Sequence, residues 1–444
     1  MSVPQGRAPR APGSPPDTLP RLLPPGTAGP ESLRAHLGRL GSVPYRNGPA
    51  RLIAELEAAG LTGRGGAAFP VYRKMAAVAA AGGRPFVVGN GAESEPASSK
   101  DVSLLWLAPH LVLDGLQLAA EAVGAQEACL YVHEAEHGPL GDGLRRALSE
   151  RSSGRIDRVP VWLACAPGRF LAGQETAMVN VLNGGPALPT YAPPRVFERG
   201  VAGAPTLVQN VETLAHIALI VRFGPAWFRA LGTRAEPGSM LCTVLHTDGT
   251  TRVTEAALGT PLPALIGSDL APGPGDLADG AQAVLVGGYH GSWLPPGRAA
   301  GLTLDNAALT ASGGILGAGV IAALPAGRCG LAETARVVRY LALESAGQCG
   351  PCLNGLPRIA AALAELAGPR PGRQVRADVE RWAGLVSGRG ACAHPDGSVR
   401  FVRSGLKVFA AELGQHADGR CTATAGAPFL PLPGPGRDQD GSRR

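Results

Sequence analysis

The apolar positions along the chain follow two spacings, which predict alternating strands and helices in its first half. Three short apolar runs predict buried strands, at residues 85–90 (PFVVGN), 128–135 (ACLYVHEA) and 159–166 (VPVWLACA). The run LVLDGLQLAAEAVG has apolar residues at helical spacing and ends in a glycine, a common stop signal of helices. Strands that alternate with helices predict an α/β fold with a largely parallel sheet over residues 31–235.

The rest of the pattern predicts two further modules and two tails. Residues 238–298 contain two strand-like runs joined by the turn TDGT and followed by a short helix, which predicts a small β-grasp-like module. Residues 328–415 have apolar positions at i, i+3, i+4 and i+7 and predict a group of helices. Residues 1–30 and 424–444 are rich in proline and glycine and predict disordered tails.

The composition is that of a globular protein. The chain has 444 residues, of which 45% are hydrophobic and 17% charged, so it is long enough for two or three domains with cores of their own. The net charge of +6 comes with 38 Arg, only 3 Lys and no dense basic run, which argues against nucleic-acid binding. Residues 307–327 are uncharged over the length of a membrane span, but their five glycines and one proline favour a buried loop and strand.

Candidate chemistry first occurs in the glycine-rich stretch GLTGRGGAAFPVYRK at residues 60–74. Gly63, Gly65 and Gly66 permit positive φ and close approach of the backbone, so that consecutive N–H groups can converge on a phosphate. Lys74 can add positive charge. The order of the glycines differs from the G-x-G-x-x-G of a dinucleotide site, and a plain tight turn is the alternative interpretation.

Three more polar stretches follow predicted strands or begin predicted helices. The stretch NGAESEP places Asn90, Glu93 and Glu95 after a strand end, where ligands bind in α/β sheets, and a solvated acidic turn is the alternative. Glu175 and Asn210 each begin a predicted helix, where capping alone would account for them.

The eight cysteines are expected to be thiols or metal ligands rather than a disulfide framework. The first 30 residues lack the apolar segment of a secretory signal, so we expect a compartment that keeps thiols reduced. Cys349 and Cys352 have the C-x-x-C spacing of a metal site, and Cys392 and His394 follow about forty residues later. The position three before Cys349 is occupied by Ala346.

These five stretches, in this order, resemble the flavoprotein subunit of NADH-quinone oxidoreductase. This is the F or 51-kDa subunit of complex I, with counterparts in NAD-reducing hydrogenases and formate dehydrogenases. The matching motifs run from about residue 55 to about residue 410. The resemblance implies an α/β domain that binds FMN and NADH, a β-grasp SLBB domain, and a C-terminal helical bundle that holds a [4Fe–4S] cluster.

The resemblance also implies roles for individual residues. GRGGAAFP is similar to the family's GRGGAGFP, which binds the FMN phosphate, and ESEPASSKD to ESEPGTFKD, which faces the nicotinamide nucleotide. GQETAM is similar to GEETAL, and VQNVETL to VNNVETL, which binds flavin. No side chain is expected to act as a catalytic acid, base or nucleophile. The residues expected to bind FMN or NADH are Gly63, Arg64, Gly65, Gly66, Ala67, Phe69, Lys74, Asn90, Glu93, Glu95, Gly173, Glu175, Asn210 and Thr213. The expected metal ligands are Cys349, Cys352 and Cys392.

The chain departs from the family pattern within these motifs. Ala92 replaces an aspartate near the flavin ring, Arg195 replaces an aromatic residue that stacks on the adenine, and Ala346 replaces the first cysteine of ESCGxCxPC. Four outcomes are open for the cysteine site. They are a [4Fe–4S] cluster with a substitute ligand, a [3Fe–4S] cluster on three thiolates, zinc bound by the cysteines and His394, or no metal.

The implied function is that of an NADH dehydrogenase-type oxidoreductase subunit. It would pass electrons from NADH through FMN to an iron–sulfur centre and then to a protein acceptor, such as a ferredoxin-like protein, a [2Fe–2S] subunit or a quinone-reducing complex. The alternatives are a redox-inactive homologue that serves binding or assembly, and a flavoprotein whose donor is not NADH. The resemblance implies a cytoplasmic protein, alone or at the periphery of a membrane complex, that is not itself an integral membrane protein.

Overall fold

A sheet of four parallel strands with helices packed against it forms the first half of the chain. The computed structural model describes residues 18–26, 29–133, 138–270, 280–421, 423 and 428–434. The strands, in the spatial order β3-β2-β1-β4, are β1 (Phe86–Asn90), β2 (Glu127–Val132), β3 (Val161–Cys165) and β4 (Thr206–Asn210). The helices are α1 (Leu33–Leu40), α2 (Pro49–Ala59), α3 (Val71–Ala80), α4 (Lys100–Leu107), α5 (Pro109–Val123), α6 (Pro139–Ser153), α7 (Glu175–Leu182), α8 (Val211–Phe223) and α9 (Pro225–Arg229). The prediction of an α/β fold with a parallel sheet is confirmed.

Helices α5 and α8 are packed against each other at the centre of this module. Both are buried on nearly every face, which is typical of helices that are apolar all round. Gly115 permits their close approach, because a Cβ atom there would lie 1.9 Å from the carbonyl oxygen of Leu214. Helix α5 then stops at Gly124, whose φ of 71° is the left-handed conformation that glycine adopts without strain.

Strand β4 is not predicted by the apolar pattern. Its sequence TLVQN runs directly into α8, so the two elements read together as one apolar helical segment. In the structure β4 pairs with β1 in parallel, and Asn90 lies opposite Asn210 at the carboxyl ends of the two strands. Two of the expected binding residues are therefore neighbours.

A second, mixed sheet of five strands follows. Its strands, in the order β6-β5-β9-β7-β8, are β5 (Ser239–Leu245), β6 (Thr251–Ala257), β7 (Ala281–Val286), β8 (Ser292–Leu294) and β9 (Val320–Pro325). Short helices accompany it, namely α10 (Leu262–Ile266), α11 (Pro296–Ala299) and α12 (Asn306–Ala311). The module extends past the predicted boundary at residue 298, because β9 lies between β5 and β7.

The uncharged segment 307–327 contains a loop and β9, five of whose six residues are buried, as predicted. It begins, however, with most of the helix α12, which was not predicted. Among the described residues, no single helix is long and apolar enough to cross a membrane. Helices α4 and α5 reach that length and composition only as a pair, and the pair is bent by 97°.

Helices make up the C-terminal part of the chain. They are α13 (Gly330–Leu343), α14 (Leu356–Leu366), α15 (Val375–Val386), α16 (His394–Val408) and α17 (Ala410–Ala417), with one π-helical turn at Pro351–Gly355. Their apolar faces form a common core that includes Val338, Leu341, Ile359, Leu363 and Phe401.

The described parts of the two predicted tails pack against the body of the protein, contrary to the prediction of disorder. Leu22 is fully buried, and the N–H groups of Arg21 and Leu22 donate to the carboxylate of Glu255 at 2.6 and 2.8 Å. At the other end Leu430 is buried, and its N–H group donates to Glu333. Residues 1–17, 27–28, 424–427 and 435–444 of the predicted tails lie outside the described residues.

A buried ion cluster connects the two sheets. The Lys100 ammonium lies 2.8 Å from Asp101 Oδ1 and 2.8 Å from Glu212 Oε2, and all three side chains are nearly inaccessible to solvent. Burial acts to lower the pKa of Lys100, but the charges of Asp101 and Glu212 outweigh it and raise that pKa. The second oxygen of Glu212 accepts the N–H of Leu241 in β5, at 2.8 Å.

We expect Lys100→Met to destabilise the protein by about 3–5 kcal/mol, because it leaves two buried carboxylates without their cation. The measurement is urea unfolding followed by circular dichroism. Lys407→Met is the matched control, since Lys407 is exposed and its replacement should change the unfolding free energy by less than about 0.5 kcal/mol. Equal stability of the two variants would contradict a stabilising role for the ion cluster.

Candidate functional site

The glycine-rich loop presents unpaired backbone N–H groups to solvent. Gly65, Gly66 and Ala67 are exposed, and within the described part of the chain their N–H groups donate no hydrogen bond. Gly66 has a φ of 100°, which a residue with a side chain would adopt only under strain. Successive unpaired N–H groups in such a turn form a concave site for an anion.

Arg64 and Thr213 hold this loop in place from below. The N–H of Arg64 donates to Thr213 Oγ1 at 2.9 Å, and the guanidinium donates to the carbonyl oxygens of Ser239 and Pro237 at 3.1 and 3.4 Å. The base of the loop is closed by the Gly63 N–H, which donates to the Phe69 carbonyl at 2.9 Å. Arg64 is buried, so its charge anchors the loop to β5.

Lys74 lies on the first turns of α3, which begins where the loop ends. Its ammonium lies 2.5 Å from Glu175 Oε1, the first residue of α7, and both side chains are partly exposed. The ion pair therefore brings the loop motif and the GQET motif together. Phe69, which is 52% exposed, lies on the same loop.

Asn90, Gly173 and Asn210 converge at the carboxyl ends of β1 and β4. Asn90 Nδ2 donates to the Gly173 carbonyl at 3.0 Å, and a Cβ at Gly65 would lie 3.3 Å from Asn210 Cβ. Asn210 also caps α8 through the N–H of Glu212, at 3.0 Å, which accords with the capping interpretation. Four of the five sequence motifs thus meet at one edge of the parallel sheet.

Glu93 and Glu95 point into the protein rather than freely into solvent. Glu93 accepts N–H groups at the start of α4, including that of Val102 at 3.1 Å, whereas Glu95 accepts the Tyr289 N–H at 2.8 Å. Burial, followed by the charge of Asp101, raises the pKa of Glu93 to about 7. Burial likewise raises the pKa of Glu95 to about 7. Both side chains are therefore part of the floor of the site, held by backbone donors.

The cysteine motif forms a second candidate site, between α13 and α16. Cys349 and Cys352 interact directly, and burial together with the charge of Cys349 raises the pKa of Cys392. Although burial acts to raise it, the backbone groups of Ala391 and Cys352 lower the pKa of Cys349. Burial and the charge of Cys349 raise the pKa of Cys352 to about 11.

The structure argues against the zinc alternative at this site. His394 Nε2 donates to the Leu341 carbonyl at 2.8 Å, and its Nδ1 lies 3.1 Å from His290 Nε2, so neither ring nitrogen is free to bind a metal. The three thiols do not all lie within 4.8 Å of one another. Four ligands around one zinc ion would be about 3.8 Å apart. In a cluster, by contrast, each thiolate binds a different iron, which suits a wider arrangement.

Glu344 connects the two candidate sites. Its carboxylate accepts hydrogen bonds from Arg169 Nε and the Phe170 N–H, both at 2.9 Å, and Glu344 lies two residues before Ala346. The Phe170 ring then contacts the ring of His394, with centroids 5.7 Å apart. Glu344 and His394, which lie near the cysteines in sequence, thus both contact Phe170, three residues before the GQET motif.

The residues that sequence reasoning missed are those that make contacts distant in sequence. Asp101 supports Asn210 through a 2.7 Å hydrogen bond, and Glu344 and Phe170 join the two sites. Two signals marked Lys100, the rarity of lysine in an arginine-rich chain and its match to the lysine of the family's ESEPGTFKD, but neither indicated the ion cluster. Glu344 matches the first residue of the family motif ESCGxCxPC, but its sequence position does not indicate the contact with Phe170.

Two family models match the chain. The model described as "Nuo51 FMN-binding domain" matches residues 56–219, and the model described as "NADH-ubiquinone oxidoreductase-F iron-sulfur binding region" matches residues 332–416. The first match contains the loop, Asn90, Glu93, Glu95 and Asn210. The second contains the three cysteines.

Similar proteins are found among curated sequences and solved structures. The F 2 subunit of the NADH-quinone oxidoreductase of Rhizobium meliloti is 30% identical over 387 residues, which cover 84% of this chain and 90% of that protein. The F-type subunit of the same enzyme from Streptomyces coelicolor is 29% identical over 407 residues, which cover 86% and 85% of the two chains. The structure of an NAD⁺-reducing [NiFe]-hydrogenase in the H₂-reduced state aligns with a TM-score of 0.72 at 26% identity and covers 85% of this chain. The chain spans 63% of that hydrogenase chain.

We expect the stability of Glu95→Gln, relative to that of the wild type, to increase as the pH rises. A carboxyl whose pKa is raised by folding binds its proton more tightly in the folded state, so its contribution to stability is lost as the pH rises from about 4.5 towards about 7. The test is urea unfolding of the wild type and the variant at about pH 5 and about pH 8.

The unfolding free energy of the variant minus that of the wild type should be more positive at the higher pH than at the lower pH. Glu57→Gln, at an exposed carboxylate on α2, should show no such shift. A shift towards the wild type would mean that the backbone donors stabilise the Glu95 carboxylate more than burial destabilises it.

Proposed function

Because the chain belongs to the family of the F-type, 51-kDa flavoprotein of NADH-quinone oxidoreductase, we propose that it is an oxidoreductase subunit that takes electrons from NADH. The electrons would pass through FMN to an iron–sulfur centre and then to a partner protein. The observation that carries this proposal is the loop of unpaired N–H groups at the carboxyl ends of β1 and β4. That edge of a parallel sheet is where nucleotide ligands bind in α/β proteins.

The residues of the loop fit the phosphate of FMN. The N–H groups of Gly65, Gly66 and Ala67 can donate to phosphate oxygens without breaking a bond within the protein, and Lys74 brings a positive charge from α3. Arg64 and Thr213 would act indirectly, by holding the loop in this shape. Asn90, Gly173 and Asn210 would lie beside the flavin, where their mutual contacts orient them.

FMN, when bound, supplies the conversion between a two-electron donor and one-electron acceptors. We propose that Glu93 and Glu95 face the nicotinamide nucleotide, with Glu175 at the same opening. Because the pKa values of Glu93 and Glu95 are about 7, these two side chains carry less negative charge than free carboxylates. They therefore repel an anionic nucleotide less. Asn90 and the ion cluster beneath it would keep the site rigid.

The cysteine site fits an iron–sulfur cluster at three of its four corners. Cys349, Cys352 and Cys392 supply three thiolates, whereas Ala346 has no lone pair to donate. We propose that a cluster forms on these three cysteines, either with a substitute ligand on the fourth iron or as the three-iron form. The contact chain through Glu344 and Phe170 would fix its position relative to the flavin.

The finer division of the chain follows the same family pattern. We propose that the second sheet is an SLBB-type β-grasp domain and that α13 to α17 form the iron–sulfur-binding domain. The acceptor would be a protein, either a [2Fe–2S] subunit or a ferredoxin-like protein, in a complex at the periphery of a membrane or in the cytoplasm. Leu353, next to Cys352, is 60% exposed, which suits a partner contact near the cluster.

A redox-inactive homologue is the second candidate function, and two observations favour it. Ala346 removes a cluster ligand, and Ala92 removes a carboxylate near the expected flavin ring. Such a protein would keep the fold and the partner contact while losing electron transfer.

The experiment that separates the two candidates is an anaerobic absorption spectrum of the purified protein before and after NADH is added. Flavin bands that NADH bleaches support the oxidoreductase proposal. Flavin that only dithionite reduces would mean a flavoprotein with another donor. A colourless protein after incubation with FMN and after cluster reconstitution would leave the redox-inactive homologue.

We expect Lys74→Met to weaken FMN binding by at least about 10-fold, since a hydrogen bond to a charged group contributes about 1.5–3 kcal/mol. Binding is measured by quenching of flavin fluorescence on titration of the apoprotein. The control is Lys407→Met, which removes a lysine on α16 outside the sequence motifs and should bind FMN as the wild type does. Unchanged affinity in Lys74→Met would remove Lys74 from the phosphate site.

We expect Ala346→Cys to raise the amount of four-iron cluster formed on anaerobic reconstitution, because it supplies the fourth thiolate. Iron and sulfide per chain and the electron paramagnetic resonance spectrum of the reduced protein measure the outcome. Ser345→Cys, one residue away, is the matched control for an added thiol. If Ala346→Cys and Ser345→Cys bind the same amount of iron, position 346 does not face the cluster.

A further inference from the structure

A second group of metal-binding side chains lies outside both candidate sites. Cys329, His416 and Cys421 have their ligand atoms within 4.8 Å of one another. Cys329 precedes α13, His416 lies on α17, and Cys421 follows α17 by four residues. The three residues are separated by up to 92 positions, so no local motif connects them.

The distances in this group suit a single metal ion. Cys329 Sγ lies 3.5 Å from His416 Nε2. Tetrahedral zinc with Zn–S and Zn–N bonds of about 2.3 and 2.0–2.1 Å would place these two atoms about 3.6 Å apart. The atoms are therefore close to the separation that zinc requires.

The surroundings also favour a cation. Glu412 Oε2 accepts the Cys329 S–H at 3.3 Å, so a thiolate formed at Cys329 would lie beside a carboxylate. A positive ion would relieve the unfavourable negative charge at this place. His416 is buried, its Nε2 faces the Cys329 thiol and its Nδ1 has no hydrogen-bond partner, so no other side chain of the described residues holds the imidazole.

The geometry points to a mononuclear zinc site formed by Cys329, His416 and Cys421. The fourth position would be taken by Glu412 or by a water molecule on the exposed side, where Cys421 also gives the ion access. The ion would join the start of α13 to the end of α17 and to the segment that follows. That segment includes Phe429 and Leu430, whose N–H groups donate to Glu333 on α13 at 2.9 and 3.0 Å. The site is structural and does not depend on flavin or iron–sulfur chemistry.

The test measures zinc per chain by mass spectrometry in full-length protein purified anaerobically from zinc-supplemented cells. A background in which Cys349, Cys352 and Cys392 are all replaced by serine prevents zinc from binding at the other cysteine site. We expect about one zinc per chain in this background. Cys421→Ser should weaken zinc binding by at least about 100-fold in a chelator competition, and Glu412→Gln by about 10-fold if the carboxylate is the fourth ligand.

Cys165→Ser is the matched control, because Cys165 is another exposed cysteine and lies on β3, in the other half of the chain. It should keep the zinc. Cobalt loading gives a second readout, in which the wild-type site should show the visible bands of a tetrahedral thiolate site and Cys421→Ser should not. If Cys329 and Cys421 are found as a disulfide, if zinc is absent from the serine background, or if Cys421→Ser retains zinc, the proposal is overturned.

Discussion

The candidate site depends on one buried cation, the ammonium group of Lys100. It lies beneath the carboxyl ends of β1 and β4, where it neutralises Asp101 and Glu212 at 2.8 Å each. Asp101 in turn holds the side chain of Asn210, and Glu212 holds the backbone of β5. Although burial acts to raise it, Lys100 lowers the pKa of Glu212 to about 2, so this carboxylate stays charged. One cation thus fixes the edge of the parallel sheet and its junction with the second sheet.

That edge can bind a ligand because some hydrogen-bonding groups around it have partners within the protein and others do not. Below the surface, the carboxylates of Glu93 and Glu95 accept backbone N–H groups. Above them, the N–H groups of Gly65, Gly66 and Ala67 have no partner among the residues that the structure describes. Water satisfies such exposed donors in the free protein, and an anion of matching shape can replace that water without rearrangement of the backbone. The polar groups below the loop are held in place, and the unpaired N–H groups of the loop face the ligand. Together they form a preorganised anion site.

Sequence reasoning succeeded where the signal was local and failed where it depended on distant contacts. The apolar runs predicted β1, β2, β3 and α5, because a buried strand or helix leaves its periodicity in consecutive residues. The predicted burial of β3 is wrong, since it is an edge strand and only Ala164 of its five residues is buried. β4 was missed, since the apolar run continues from the strand into α8. β9 was left out of its module, because its partners β5 and β7 lie far away in sequence. The packing of Leu22 and Leu430 against the body was also missed. Each residue is held by one carboxylate in another element, Glu255 for Leu22 and Glu333 for Leu430.

The two groups of cysteines contain the same residue types, but their structures favour different metals. Both groups contain thiols with a histidine nearby, and at the first group the sequence left zinc as an alternative. There the histidine, His394, is fully occupied by Leu341 and His290, and the three thiols do not all lie within 4.8 Å of one another, which favours several irons over one ion. At Cys329 the imidazole of His416 lies 3.5 Å away, within reach of one shared ion. The hydrogen-bond partners of each histidine therefore decide which group can use its imidazole as a ligand.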